Sequence, residues 1–120
     1  MISDQQLKIK TDILTNKLSA GLFDEVITEA RGLLRERGHQ IIYNILSIAY
    51  QSLGKFDLSV EIMEEALKKN PKNPYFLNNM GISKHNLESF EEAERYFKKG
   101  LDVAPNYINI LNNIGNLKKD

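Results

Sequence analysis

The 120-residue sequence contains no cysteine and no tryptophan, and only three prolines. Without thiols there can be no disulfide, thiolate metal site or cysteine nucleophile, a composition compatible with a reducing cytoplasm. Charge of one sign is missing as well: 16 basic and 16 acidic residues cancel. That removes the basic field by which proteins hold nucleic acid or an anionic membrane. No apolar run approaches the roughly 18 residues that cross a bilayer. The start, Met1-Ile2-Ser3-Asp4-Gln5-Gln6, lacks the basic opening and apolar stretch of a secretory signal. Gly-rich phosphate loops, nucleophile elbows and H-E-x-x-H pairs do not occur. His39 and His85 share no carboxylate at ligand spacing, so neither a metal nor a catalytic role is expected. These absences predict one soluble cytoplasmic domain over residues 1–120 that is not an enzyme and needs no cofactor.

What is present is a repeat. Pro71 and Pro105 stand 34 residues apart, and at that offset Leu77-Asn78-Asn79-Met80-Gly81 recurs as Leu111-Asn112-Asn113-Ile114-Gly115. Phe56 matches Phe90, Leu67 matches Leu101, and Tyr43 and Leu46 fall on Leu77 and Met80. A looser copy is offset by 33, where Gly21-Leu22-Phe23-Asp24 aligns with Gly54-Lys55-Phe56-Asp57. Self-similarity at such a period marks a stack of identical supersecondary units.

The units read as helices. Leu58, Ile62, Met63, Ala66 and Leu67 share one helical face, as do Phe90, Ala93, Phe97 and Leu101. Asp57 and Ser89 stand where helix caps belong, and Gly38, Asn70-Pro71 and Ala104-Pro105 punctuate helix ends. Glu64–Lys68, Glu65–Lys69, Glu91–Arg95 and Glu94–Lys98 are spaced as ion pairs on a solvated face. The spacing predicts helices over 5–19, 24–37, 40–53, 57–69, 74–87, 91–103 and 108–118, joined by connections short enough to force antiparallel hairpins. No strand pattern competes.

These residues resemble the tetratricopeptide repeat. Its pattern of a bulky residue, Leu, a small residue and an aromatic is met by Tyr43, Leu46, Ser47 and Tyr50, followed by Ser59, Met63, Ala66 and Pro71. The next copy offers Leu77, Met80 and Gly81, then Ala93, Phe97 and Pro105, with Lys84 where an aromatic is usual. The resemblance implies an all-α, right-handed superhelical solenoid with repeats near 5–38, 40–73 and 74–107 and an extra helix at 108–118. Asp12 and Lys17 make the first helix an atypical, cap-like member. Ile110 and Leu117, one heptad apart, are expected on the unpartnered face of the last helix. That helix is then either a cap or a point from which a longer array continues, since a dedicated cap carries a polar outer face.

In this family the first helices line a concave groove. Carried over, the groove comprises Ile41, Asn44, Ile45, Ile48, Gln51 and Ser52, then Tyr75, Asn78, Asn79, Ile82, His85 and Asn86, then Asn109, Asn112, Asn113 and Asn116. Asn44, Asn78 and Asn112 recur every 34 residues, and Asn79 and Asn113 begin a second row that Ile45 interrupts. An amide offers both donors and an acceptor, which suits an extended peptide backbone. The row is similar to the asparagine ladder in the repeat region of O-linked N-acetylglucosamine transferase and related bacterial repeat proteins, which holds peptide main chain. The alternatives are amides that are merely solvated or that bond a neighbouring helix. Ile41, Ile45 and Ile48 form an i, i+4, i+7 stripe, either covered by the first hairpin or open as an apolar pocket with Ile82.

The expected function is recognition of a neutral, extended polypeptide, with Asn44, Asn78, Asn79, Asn112 and Asn113 on its main chain and Ile48, Ile82 and Tyr75 on its side chains. His85 and Asn116 complete the groove. The Lys/Arg clamp by which repeat co-chaperones grip acidic heat-shock tails is missing: the groove has Lys8 near one end and Lys119 at the other. Two further classes stay open. One is a substrate-recruiting region of a larger glycosyl- or sulfotransferase-like enzyme; the other is self-assembly into a homo-oligomer through the C-terminal helix.

Overall fold

The computed structural model describes residues 1–117, and within them the chain forms seven α-helices and no strand. They are α1 (Asp4–Ser19), α2 (Phe23–Glu36), α3 (Gln40–Ser52), α4 (Phe56–Lys69), α5 (Pro74–Asn86), α6 (Phe90–Val103) and α7 (Ile108–Gly115). The stack measures 47 × 26 × 22 Å.

Three hairpins, α1–α2, α3–α4 and α5–α6, close through the same three-residue turn. In each, the amide two residues past the C-cap donates to the carbonyl five residues back: Leu22 to Lys17, Lys55 to Tyr50 and Ser89 to Lys84, at 3.0, 2.8 and 2.9 Å. The amide between them donates to the carbonyl three residues back, which completes a Schellman turn. The turn needs a left-handed residue at its centre. Gly21 and Gly54 supply it at φ 80° and 73°, but the third turn uses Glu88 at φ 64°.

The turn also corrects two expected caps. Because it is so short, the residue that closes the turn is already the N-cap of the next helix. Lys55, not Asp57, caps α4, and Asp57 lies inside the first turn. Ser89 does cap α6 by position, but at ψ 68° it lies outside the extended region that aims a hydroxyl at the orphan amides, and its side chain makes no cap bond. Side-chain caps fall at two of the other connections, α2–α3 and α4–α5, where the N-cap residue is extended. Asn73 Oδ1 accepts from the amides of Tyr75 and Phe76 at 2.9 and 3.2 Å, and His39 Nδ1 accepts from Ile41 at 3.2 Å.

Packing follows the repeat. Ile42, Leu46, Ala49, Met63 and Ala66 are fully buried at the centre of a core that spans α1 to α5. Leu7, Thr11 and Leu14 seat α1 on it. A second, smaller cluster of Ala93, Phe97 and Ile110 joins α6 to α7. Small residues mark the close approaches: the Phe97 ring lies where a side chain on Gly81 would stand, and Ile110 occupies that place for Gly100. Of the spaced pairs, Glu94–Lys98 forms at 2.8 Å, whereas Glu65 accepts from the Tyr43 hydroxyl at 3.0 Å.

The last helix differs from expectation. Ile110 is not on an open face but fully buried against α6, and Leu117 packs half-buried on the same cluster. Ile110 repeats Ile42 and Phe76, the positions that face the preceding hairpin. The open face carries Ile108 and Leu111, at 67% and 48% exposure. Residues 118–120, which hold the end of the expected last helix and the groove cation Lys119, lie outside the described residues.

Candidate functional site

Neighbouring odd-numbered helices approach closely (α1 with α3, α3 with α5, α5 with α7), while the backbones of even-numbered helices stand farther apart. The odd layer therefore lies on the inside of the curve, and its exposed side is the groove. Ile45 leaves this surface: at 3% exposure it belongs to the main core, covered as the first hairpin packs on α3. Ile41 stays 39% exposed, and Ile48 and Ile82 are half-buried. Tyr75 is 56% exposed and stacks edge-on with Tyr107 at 5.5 Å. His85 is half-buried against Phe90, while Asn86, Asn109, Asn112 and Asn116 are exposed.

The asparagines do not stand as independent rungs. Asn79 Nδ2 donates to Asn44 Oδ1 at 2.5 Å, and one repeat on Asn113 Nδ2 donates to Asn78 Oδ1 at 2.7 Å. Each bond ties one inner helix to the next, and Asn78 and Asn79 are buried as a result. The pairing has a direction. Asn44 and Asn78 spend their oxygens on the neighbouring helix, and their Nδ2 donors have no acceptor among the described residues. A groove surface with donors one repeat apart is suited to carbonyl oxygens.

A polar chain that sequence reasoning missed runs inward from this surface. Gln51 Nε2 donates to Asn79 Oδ1 at 3.2 Å and to Ser47 Oγ at 2.9 Å. Ser47 and Ser59 hydroxyls lie 2.8 Å apart, and Ser83 donates to Ser59 at 2.9 Å. All three serines are fully buried. Ser47 and Ser59 sit at the family's small-residue positions, so their size was legible. The clue to their chemistry was that two such positions in one repeat both carried a hydroxyl.

Between the starts of α3 and α5, His39, Gln40, Ile41, Asn44, Asn73, Tyr75 and Phe76 line a pocket of about 290 Å³. Asn44 is among its lining residues, so an apolar wall and an amide share one pocket. Charge is sparse here: Lys8 is paired with Asp12 at 2.9 Å. Lys84, the departure from the repeat pattern, is turned to Glu92 at 2.8 Å. That hydrogen bond raises the lysine's pKa against the opposing effect of burial, and lowers the glutamate's. No group of three or more potential metal ligands occurs among the described residues, and none of their helices is long and apolar enough to cross a membrane.

Stacked hairpins with a shared inner layer, small residues at the crossings and a 34-residue period define a helical-repeat protein. The family model described as tetratricopeptide repeat matches residues 41–73 and 74–107, more than half of the chain, and the protein belongs to that family. A 58-residue stretch is 38% identical to the photosystem I assembly protein Ycf3 of Prochlorococcus marinus (strain MIT 9215), covering 48% of this chain and 30% of that one. The match thus spans under a third of the relative's length. Among solved structures, the first repeat domain of Spaghetti (RPAP3), bound to the HSP90 peptide SRMEEVD, superposes with TM-score 0.87 at 18% identity, over 97% of this chain and 93% of that one. PcrH, a Pseudomonas aeruginosa protein, in complex with the chaperone binding region of PopB, gives 0.85 at 15%, over 95% and 96%. Identities this low establish the shared fold.

Proposed function

We propose that the groove binds an extended, largely uncharged polypeptide segment. Its carbonyl oxygens accept from Asn44 and Asn78, with Asn112 continuing the row, and an apolar side chain enters the pocket beside Ile41 and Tyr75. Ile48 and Ile82 supply apolar wall further along. The observation that carries this is the direction of the inter-helix amide bonds, which uses the oxygens of Asn44 and Asn78 and leaves their Nδ2 donors, one repeat apart, for a ligand. The same fold with a peptide bound, in Spaghetti and in PcrH, supports the use of the groove. The scarcity of free cations in it favours a neutral segment over an acidic tail.

Selection of a displayed random-peptide library tests the proposal, with Asn44→Asp as the discriminating variant. A carboxylate keeps the acceptor that Asn79 needs but replaces the outward donor with a group that repels carbonyls. Affinity for selected peptides should fall roughly tenfold, about the effect of losing one buried hydrogen bond, while melting is unchanged. Enrichment of acidic carboxy-terminal sequences, or Asn44→Asp binding as well as wild type, would overturn it. The stretch shared with the photosystem I assembly protein favours a second, narrower version, in which the bound segment belongs to a subunit held during assembly of a complex. A captured partner that is still bound in its mature complex would sink that version alone.

A further inference from the structure

Both ends of one buried amide are engaged where α5 meets α3. Asn79 Nδ2 donates to Asn44 Oδ1 at 2.5 Å, and Asn79 Oδ1 accepts from Gln51 Nε2 at 3.2 Å. The same Gln51 nitrogen donates to Ser47 Oγ at 2.9 Å, and Ser47 meets Ser59, which accepts from Ser83. The serines are fully buried and Asn79 is 5% exposed. A side-chain amide has one donor end and one acceptor end. With its oxygen taken by Gln51, Asn79 has only its Nδ2 to offer Asn44, and Asn44 must answer with oxygen. That exchange is what leaves the Asn44 Nδ2 without an acceptor among the described residues.

The next junction lacks this chain. One period after Gln51, Ser47 and Ser59 stand His85, Gly81 and Ala93. Asn113 still donates to Asn78 at 2.7 Å, but its Oδ1 accepts no side-chain bond among the described residues. The His85 ring instead packs edge-on with Phe90, with centroids 5.5 Å apart. The two junctions therefore share the outer amide pair and differ in what stands behind it.

We infer that Gln51 is a positioning residue that sets the polarity of the groove at Asn44. This rests on the reading of the groove as a peptide site and adds a source of its specificity. While Gln51 donates, Asn44 presents a donor, which makes it a stricter reader of carbonyl oxygens than Asn78.

The test exchanges the donor at position 51 for an acceptor. In Gln51→Glu the carboxylate can only accept, so Asn79 turns its Nδ2 to it and its Oδ1 to Asn44. Asn44 then presents oxygen to the groove, and Ser47 stays paired by donating to the carboxylate. Side-chain amide hydrogen exchange, followed by NMR on the full chain without ligand, reads the inversion. The Asn44 Nδ2 hydrogens should exchange freely in the wild type and severalfold more slowly in Gln51→Glu, while Asn113 Nδ2 keeps its wild-type rate. Gln51→Met removes the donor without adding charge and should give Asn44 an intermediate rate. Peptides selected on the wild type should bind Gln51→Glu about tenfold more weakly. An Asn44 rate unchanged in Gln51→Glu would overturn the inference, as would an equal change at Asn113. If Gln51→Glu does not fold, a wild-type Asn44 rate in Gln51→Met overturns it. Since exchange needs no ligand, a groove that selects no peptide sinks the peptide-binding reading, whereas unchanged exchange in a chain that does bind sinks only the role of Gln51.

Discussion

Leu77-Asn78-Asn79-Met80-Gly81 and Leu111-Asn112-Asn113-Ile114-Gly115 differ at one residue in five, and they live in different surroundings. In the first, every residue is buried; in the second, Leu111, Asn112 and Gly115 are exposed and the other two half-buried. Asn78 and Asn79 each bond an amide of a neighbouring inner helix, whereas of the later pair Asn113 bonds back to Asn78. A repeat sequence therefore encodes a set of faces and not a burial pattern; each face becomes core or surface according to which neighbour arrives. In a solenoid, where units contact only adjacent units, this makes the energetic value of a residue depend on its place in the stack.

Matched substitutions break the comparison most directly at the leucines. Leu77→Ala removes a side chain enclosed by α6 and should cost about 2–5 kcal/mol. Leu111→Ala removes a half-exposed one with no helix over it, and should cost under about 1 kcal/mol. Urea denaturation of the two variants measures the difference. Equal losses would mean that α7 is covered in solution.

The glycines come next and should differ in sign. Gly81→Ala drives a methyl group into the Phe97 ring, an overpacking that costs about 1–3 kcal/mol. Gly115→Ala meets open space and gains helix propensity, about 0.5–1 kcal/mol if that turn is as helical as an interior one. Thermal melts shifting in opposite directions would confirm that the same glycine serves a contact in one copy and none in the other.

The asparagines give a smaller contrast. Asn79→Ala leaves Asn44 and Gln51 without their shared partner, at about 1–2 kcal/mol. Asn112→Ala alters a solvated side chain and should stay within about 0.5 kcal/mol. Chemical denaturation at fixed pH separates the two, and an Asn112→Ala loss as large as that of Asn79→Ala would show that the outer amide also bridges helices.

The same contrast explains how much could be read before the structure. Period, punctuation and apolar faces placed all seven helices, because those signals are local. The repeat register also located the inner layer, and with it Asn44, Asn78 and Tyr75. Three things depended on neighbours: for two of them the sequence offered the right reading only as one of several, and the third it misplaced. Ile45 looks like Ile41 and Ile48 along the helix, and only the packing of the first hairpin decides that it is core. Ile110 and Leu117 form a plausible outer stripe by heptad spacing, but the way α7 leans on α6 turns Ile110 inward. The asparagine rows left open whether the amides are ligand rungs or bond a neighbouring helix, and bonding runs from the second row of one helix to the first row of the helix before it. Asp57 and Ser89 failed as side-chain caps for a local reason: a three-residue Schellman turn leaves no extended residue from which to cap.

That turn supplies the smallest expected effect, and it again sets the third hairpin apart. Gly21 and Gly54 occupy the left-handed centre of the first two turns, while Glu88 holds the same conformation with a side chain. The backbone bonds are alike in all three, so the hydrogen-bond geometry is not what tolerates the glutamate. Its side chain is exposed, which leaves the conformational strain uncompensated by packing. A left-handed non-glycine residue costs roughly 1–2 kcal/mol. Glycine removes that strain but loses more freedom on folding, so Glu88→Gly should stabilise the chain by a net of about 0.5–1 kcal/mol. Gly54→Glu should destabilise it by a similar amount. Thermal melts of the two variants test the pair, and a Glu88→Gly change that lowers stability would show that Glu88 makes a compensating contact in solution.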